Sequence, residues 1–184
     1  MTQSGTHPLA AQPPFSLGDV RLYLATSALI LGNVLLPYAI HRVPDGGRIF
    51  LPLFFFTLIA GWRFGVVAGL LAGVLSPLAN HVLTGMPPIP ALQSIMAQSA
   101  LLGVLASVLA PSSRKPSLPA LVLVVLLHQV LILFPQFLQV GAHSAFSTLE
   151  LHLPGLLFQV FGGYGLLWFL GRHLPQPKRA TREG

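Results

Sequence analysis

Six stretches rich in Leu, Val, Ala, Ile and Phe follow one another along the chain, at residues 21–40, 49–60, 66–82, 91–110, 118–138 and 153–170. A helix needs about 20 apolar residues to cross the hydrocarbon core of a bilayer, with about 17 to 25 tolerated. Five of the six runs meet that requirement. The breaks between them are built from residues that stop helices. His41-Arg42-Val43-Pro44-Asp45-Gly46-Gly47-Arg48 closes the first run, and Pro87, Pro88 and Pro90 follow the third. Pro111-Ser112-Ser113-Arg114-Lys115-Pro116 closes the fourth. Proline lacks the N–H that a helix interior requires, and Asp-Gly-Gly reads as a turn. Residues 139–152 read as a polar link. The run at 49–60 is short and carries Pro52 near its start, so to cross it must thin the bilayer, tilt little or extend to Trp62 as an interfacial anchor.

Composition agrees with a membrane protein. Of 184 residues, 53% are hydrophobic and only 8% charged, against roughly a quarter charged in soluble domains. The length allows one bundle and no separate soluble domain. A net charge of +6 raises the question of nucleic acid, but the basic residues lie between apolar runs and in the tail, without aromatic interleaving. Their placement orients the chain instead. With six spans, Arg21, Arg63, Arg114, Lys115, Arg172, Lys178, Arg179 and Arg182 share the side of the termini, and Arg42 and Arg48 lie opposite. The positive-inside rule then places both termini in the cytoplasm of a bacterial cell membrane. A five-span chain without residues 49–60 would scatter these charges. The expected fold is therefore all-α, an integral membrane bundle of six transmembrane helices. It has a polar N-terminal segment at 1–20, a membrane domain at 21–172 and a basic cytoplasmic tail at 173–184. No cleaved signal peptide is expected, because the first twenty residues lack a basic start and an apolar core.

Against this background the polar residues inside the runs stand out. Asn33, Asn80, His81, Gln93, Gln98, His128, Gln129, Gln136 and Gln159 are neutral amides and imidazoles, with no carboxylate, lysine or cysteine among them. Buried without partners, such groups are costly. Taken singly, each reads as interhelical glue contributing about 0.6 to 2 kcal/mol. Taken together, most fall in the outer halves of their spans, with His128 and Gln129 near mid-depth. That depth bias predicts an outward cavity for a neutral polar molecule, capped by the loops at 44–48 and 84–90. The candidate ligand set is Asn80, His128, Gln129 and Gln159, with Asn33, Gln93 and Gln136 beside them. His41, His143 and His152 read as solvated loop residues.

Small residues supply a second pattern. Gly65, Gly69 and Gly73 recur every fourth position, a period that lets helices approach closely, and intramolecular packing is the expected use. Ala25, Ala28 and Gly32 on the first span form the candidate partner-facing stripe. Enzyme signatures are missing: the sequence has no HExxH, Walker lysine loop or GxSxG. Its four acidic residues lie in tails and loops, so no catalytic pair, metal site or cofactor is expected, and uphill transport would need an energised partner.

Several of these segments resemble a known family. Pro52-Leu53-Phe54-Phe55-Phe56-Thr57-Leu58-Ile59-Ala60-Gly61, Phe64-Gly65, Gly69-Leu70-Leu71-Ala72-Gly73-Val74-Leu75-Ser76-Pro77-Leu78-Ala79-Asn80 and Thr84-Gly85-Met86-Pro87 look like the substrate-binding S component of energy-coupling factor (ECF) transporters. Pro154-Gly155-Leu156-Leu157-Phe158-Gln159-Val160-Phe161-Gly162-Gly163-Tyr164 looks like the last helix of an uncharacterised branch. The resemblance covers roughly residues 20–172. It implies a six-helix bundle that captures a vitamin or related micronutrient from outside. It also implies association with a transmembrane coupling protein and two cytoplasmic ATPases. In the family a small-residue stripe on the first helix contacts the coupling protein; Ala28 and Gly32 fit it, and Ala25 is out of step. The Met-His start of the nickel and cobalt members is replaced here by Met1-Thr2. The competing reading is a structural multi-span protein of the MreD type, without a ligand; an intramembrane enzyme ranks third.

Overall fold

A computed structural model describes residues 18–40 and 46–174, excluding the side chains of Gly47 and Arg48. Residues 1–17, residues 41–45 with His41, Arg42 and Asp45, and residues 175–184 lie outside the described residues. Among the described residues every element is helical. The helices are α1 (Val20–Ile40), α2 (Gly46–Phe50), α3 (Pro52–Phe64), α4 (Val66–Thr84), α5 (Ile89–Leu109), α6 (Leu118–Val140), α7 (Ala142–Leu157) and α8 (Gly163–His173). A π-helical turn at Phe158–Gly162 joins α7 to α8. Five helical stretches are long and apolar enough to cross a membrane, namely α1, α4, α5, α6 and the continuous run Ala142–His173. The protein is a membrane-embedded helical bundle.

The short run has a different role from the one its length suggests. Leu51 adopts a left-handed conformation (φ 48°, ψ 46°) and separates α2 from α3, which then starts at Pro52, where a missing N–H costs nothing. At thirteen residues α3 is about 20 Å long, against about 30 Å of hydrocarbon. Eleven of those thirteen residues are buried. Trp62, expected at the interface, is fully buried in the core with Phe54, Leu58, Ile59, Leu102, Leu121 and Val125. The aromatic run is apolar all round because it forms the centre of the bundle, surrounded by α1, α4, α5 and α8.

The expected link at 139–152 also differs. Gly141, with φ 87°, breaks the chain at one residue, and α7 begins immediately at Ala142. The helix then runs 32 residues to His173, about 48 Å. Serine and threonine are tolerated in its first turns because they bond back to the preceding turn. Ser147 Oγ donates to the His143 carbonyl at 2.7 Å and Thr148 Oγ1 to the Ser144 carbonyl at 3.0 Å.

Glycine sets the tightest helix contact. An added Cβ at Gly69 would fall 2.6 Å from the Gly103 carbonyl oxygen, and one at Gly73 would fall 2.6 Å from Ala100 Cα. Thus α4 and α5 cross backbone to backbone, the intramolecular use expected of this stripe. Gly65 does not belong to it. At φ 97° it is the joint between α3 and α4.

The helix ends sort into two groups. Leu22 at the start of α1 packs with Phe64 at the end of α3 and Ala68 at the start of α4. Arg114, just before α6, donates from Nη1 to the carbonyls of Gly61, Trp62 and Ser107 at 3.2, 3.0 and 3.0 Å. Arg63 donates to the Leu174 carbonyl at the end of α8. The start of the described chain, its end, and the α3–α4 and α5–α6 junctions therefore meet at one end of the bundle. Arg63 and Arg114, read from sequence as orienting surface charges, are both buried. Burial lowers the Arg114 pKa from its usual value, and three last-turn carbonyls of α3 and α5 hold its charge, that of Gly61 being shared with the Gly65 N–H that caps α3.

Candidate functional site

The buried polar residues fall into separate groups rather than around one cavity. The first ties four helices together. Asn33, wholly buried on α1, donates from Nδ2 to Thr57 Oγ1 on α3 at 3.0 Å and to Ser76 Oγ on α4 at 2.9 Å. Its Oδ1 accepts the backbone N–H of Phe56 at 3.1 Å. Thr57 Oγ1 lies 3.1 Å from Ser99 Oγ on α5. Asn80 donates from Nδ2 to the Asn33 carbonyl at 2.8 Å and to the Ser76 carbonyl at 3.2 Å. Asn33 has no hydrogen-bonding atom left over, which makes it interhelical glue.

His128 belongs to a second contact. Its Nε2 lies 2.9 Å from the Gln98 carbonyl on α5, and its ring meets Phe54 edge-on at 5.5 Å between centroids. The Gln98 side chain turns away to Ser94 at 3.0 Å. Gln93 is exposed on the outer face of α5. His81 Nδ1 lies 2.8 Å from the Pro87 carbonyl and fastens the α4–α5 turn.

The third group joins α6 to α7. Gln136 donates from Nε2 to Ser144 Oγ at 3.1 Å and Thr148 Oγ1 at 2.9 Å. Two turns earlier on α6, Gln129 Nε2 lies 3.0 Å from His152 Nδ1. His152, expected in a solvated loop, is a helical residue of this seam; His143 is exposed in the first turn of α7. Gln129 is 2% exposed and its Oε1 has no hydrogen-bond partner. Gln159, in the π turn and 1% exposed, also has an Oε1 without a partner. A π turn widens the helix locally and recurs at functional positions. Beside it Phe158 stacks on Phe55 with centroids 4.5 Å apart.

An apolar groove of about 260 Å³ lies between α6 and α7, lined by Leu126, Gln129, Val130, Leu133, Phe134, Phe137, Ala145, Phe146 and Leu149. Of the seven candidate ligand residues, Gln129 alone lines it. Sequence reasoning missed Thr57, Ser76, Ser99, Ser144, Thr148 and His152. Ser76 carried a readable signal: it stands one helical turn before Asn80, so both lie on one face of α4.

The candidate partner stripe divides. Ala28 is exposed, but an added Cβ at Gly32 would fall 2.8 Å from the Phe56 ring, and Ala25 packs against the cluster of Leu22, Ala60 and Phe64. Among the described residues there is no group of three His, Cys, Asp or Glu side chains placed to hold a metal. Comparison with protein families, with characterised proteins and with solved structures finds no match.

Proposed function

We propose that this chain is a membrane-embedded binding protein for a small neutral molecule, acting as the S component of an ECF-type importer in the cell membrane. The observation that carries the reading is the pair of buried amide oxygens, Gln129 Oε1 and Gln159 Oε1, that lack donors. An unsatisfied buried acceptor costs about 1–3 kcal/mol, and a bound donor recovers that cost. The family resemblance supplies the partners, a transmembrane coupling protein and two ATPases. Ala28, exposed on α1, is the stripe residue best placed to meet them. Thermal unfolding of the purified protein against a panel of water-soluble micronutrients tests the reading. A ligand at a hundredfold excess over its Kd stabilises by about 2.7 kcal/mol, and Gln159→Ala should weaken that effect. A panel without any stabilising compound, together with a failure to copurify ATPases, rejects the proposal.

One observation favours a second reading, a structural protein of the MreD type. The bonds that saturate Asn33 and tie α1, α3, α4 and α5 together form a scaffold that requires no ligand.

A further inference from the structure

The last turns of α8 present an exposed face that joins aromatic rings to a cation. Tyr164, Gly165, Trp168 and Arg172 recur at intervals of three or four residues, which places them on one side of the helix. All four are exposed, Trp168 by 47%, and a Cβ added at Gly165 would meet nothing within 4 Å. The Arg172 guanidinium carbon lies 4.1 Å from the centroid of the Trp168 ring. A guanidinium stacked on a ring is ordered in advance, while its edge still offers N–H donors to a ligand. Two observations set the height of this face. The bond from Arg63 to the Leu174 carbonyl pins the end of α8 beside the junction of α3 and α4. The helical run of 32 residues, about 48 Å, also exceeds the roughly 30 Å of hydrocarbon by enough to carry Arg172 into the headgroup layer.

We infer that this face seats an anionic phospholipid, with its phosphate held by the Arg172 guanidinium and an acyl chain lying along Trp168, Tyr164 and the open notch at Gly165. The inference goes beyond the import role and requires only that the bundle is embedded in a membrane. Charge complementarity selects the occupant. Exposed Arg21 and Lys115 stand at the same end as Arg172, and the sequence adds Lys178, Arg179 and Arg182 after it against one acid, Glu183. Among the described residues only Asp19 and Glu150 are acidic. Asp19 accepts the Arg21 N–H at 2.9 Å, and Glu150 lies about 33 Å back along the same helical run. The negative end of the helix is itself partly covered, because Arg63 takes the Leu174 carbonyl and the Leu174 N–H takes that of Leu170. A planar guanidinium matches two phosphate oxygens, and an indole ring favours the headgroup boundary. A zwitterionic lipid brings a second cation with its phosphate, which this basic end disfavours.

The protein carries its own reporter. It has two tryptophans, of which Trp62 is wholly buried and Trp168 exposed, so quenching by brominated acyl chains reads the surroundings of Trp168. The test places the full chain in vesicles of one part phosphatidylglycerol to nine parts phosphatidylcholine. The bromines are carried either by the phosphatidylglycerol or by an equal amount of the phosphatidylcholine. Brominated phosphatidylglycerol should behave as if enriched about fivefold at Trp168, the equivalent of roughly 1 kcal/mol for one cation near an anionic surface. Arg172→Gln should bring the two lipids to equal quenching while phosphatidylcholine still quenches, which shows that the variant remains folded in the bilayer. Lys115→Gln, at the same end, should keep the preference. Equal quenching by both lipids in the wild type overturns the inference. So does a preference that survives Arg172→Gln, or one that falls equally in Arg172→Gln and Lys115→Gln, since either marks diffuse attraction to the whole basic end. Inorganic phosphate should not compete when chloride at matched ionic strength does not; competition by phosphate alone overturns the lipid as occupant in favour of a free anion.

Discussion

Asn80 on α4 donates its side-chain amide to the backbone carbonyl of Asn33 on α1 across 2.8 Å. The carbonyl lies within α1, a helix that also contains Pro37. Proline cannot donate to the carbonyl four residues earlier, and that residue is Asn33. The acceptor that Pro37 leaves open is thus filled from the neighbouring helix. One amide satisfies a defect in α1 and fastens α1 to α4 at the same time.

This arrangement predicts a stability effect rather than a binding effect. Asn33→Leu removes bonds to Thr57, Ser76 and Phe56 together and should destabilise the bundle by about 2 kcal/mol, given about 0.6 to 2 for a hydrogen bond between membrane helices. Asn80→Ala should cost about 1 kcal/mol. Unfolding in a denaturing detergent series reads both. A ligand affinity that falls for Asn80→Ala without loss of stability would return this residue to the ligand set.

The α4–α5 crossing gives a sharper contrast. An added Cβ at Gly103 would collide with the Gly69 carbonyl, which is backbone and cannot rotate away. Gly103→Ala should destabilise by about 1–3 kcal/mol through overpacking. Gly165, on α8, has nothing within 4 Å of its would-be Cβ, so Gly165→Ala should be neutral or stabilise by up to about 1 kcal/mol. Equal losses at the two positions would show that the crossing is looser than its geometry implies.

Arg114 has a left-handed backbone (φ 52°), held there by three side-chain bonds to the ends of α3 and α5. Arg114→Ala abandons those carbonyls and should cost about 2–3 kcal/mol, the scale for bonds to a charged group. Lysine is a compact point charge without the planar fork, so Arg114→Lys should recover only part of that loss. Unfolding of both variants in detergent would separate the two effects, and full recovery by lysine would mean that charge alone suffices.

Much of this was legible in the sequence because proline and glycine mark helix ends through local geometry. The starts at Val66 and Leu118, the break at Gly85, and the close contact of Gly69 and Gly73 all follow from such residues, whereas the break at Gly141 was hidden inside a stretch read as a link. Residues 142–152 were harder. Their Ser, Thr and His side chains suggest a link, yet Ser147 and Thr148 satisfy themselves on the preceding turn and leave the helix intact. The site was legible only in depth. Sequence position along a span gives a height in the bilayer, whereas a hydrogen-bond partner also depends on the angle around the helix. Asn33 faces the α3–α4 seam and Gln93, on an outer half as well, faces outward. Height alone could not separate the two.

Leu22, Phe64 and Ala68 meet in one cluster, Arg114 reaches the ends of α3 and α5, and Arg63 reaches Leu174. We predict that α3, too short to span hydrocarbon unaided, completes a crossing together with α2, its buried faces screened from lipid by neighbouring helices. That crossing makes the expected number of passages even, in keeping with the start of α1 and Leu174 lying at the same end. That end carries Arg21, Lys115 and Arg172 in addition to the two buried arginines, which the positive-inside rule assigns to the cytoplasm. Reporter fusions after Lys115 and after Gly184 should both read cytoplasmic, and one after Gly141 should read external. Lys115→Glu and Arg172→Glu together should lower the fraction of correctly oriented chain, whereas Arg114→Ala should lower stability without reversing topology. External signals at both Lys115 and Gly184, with a cytoplasmic tag at the N-terminus, would mean that α2 and α3 enter and leave by the same face.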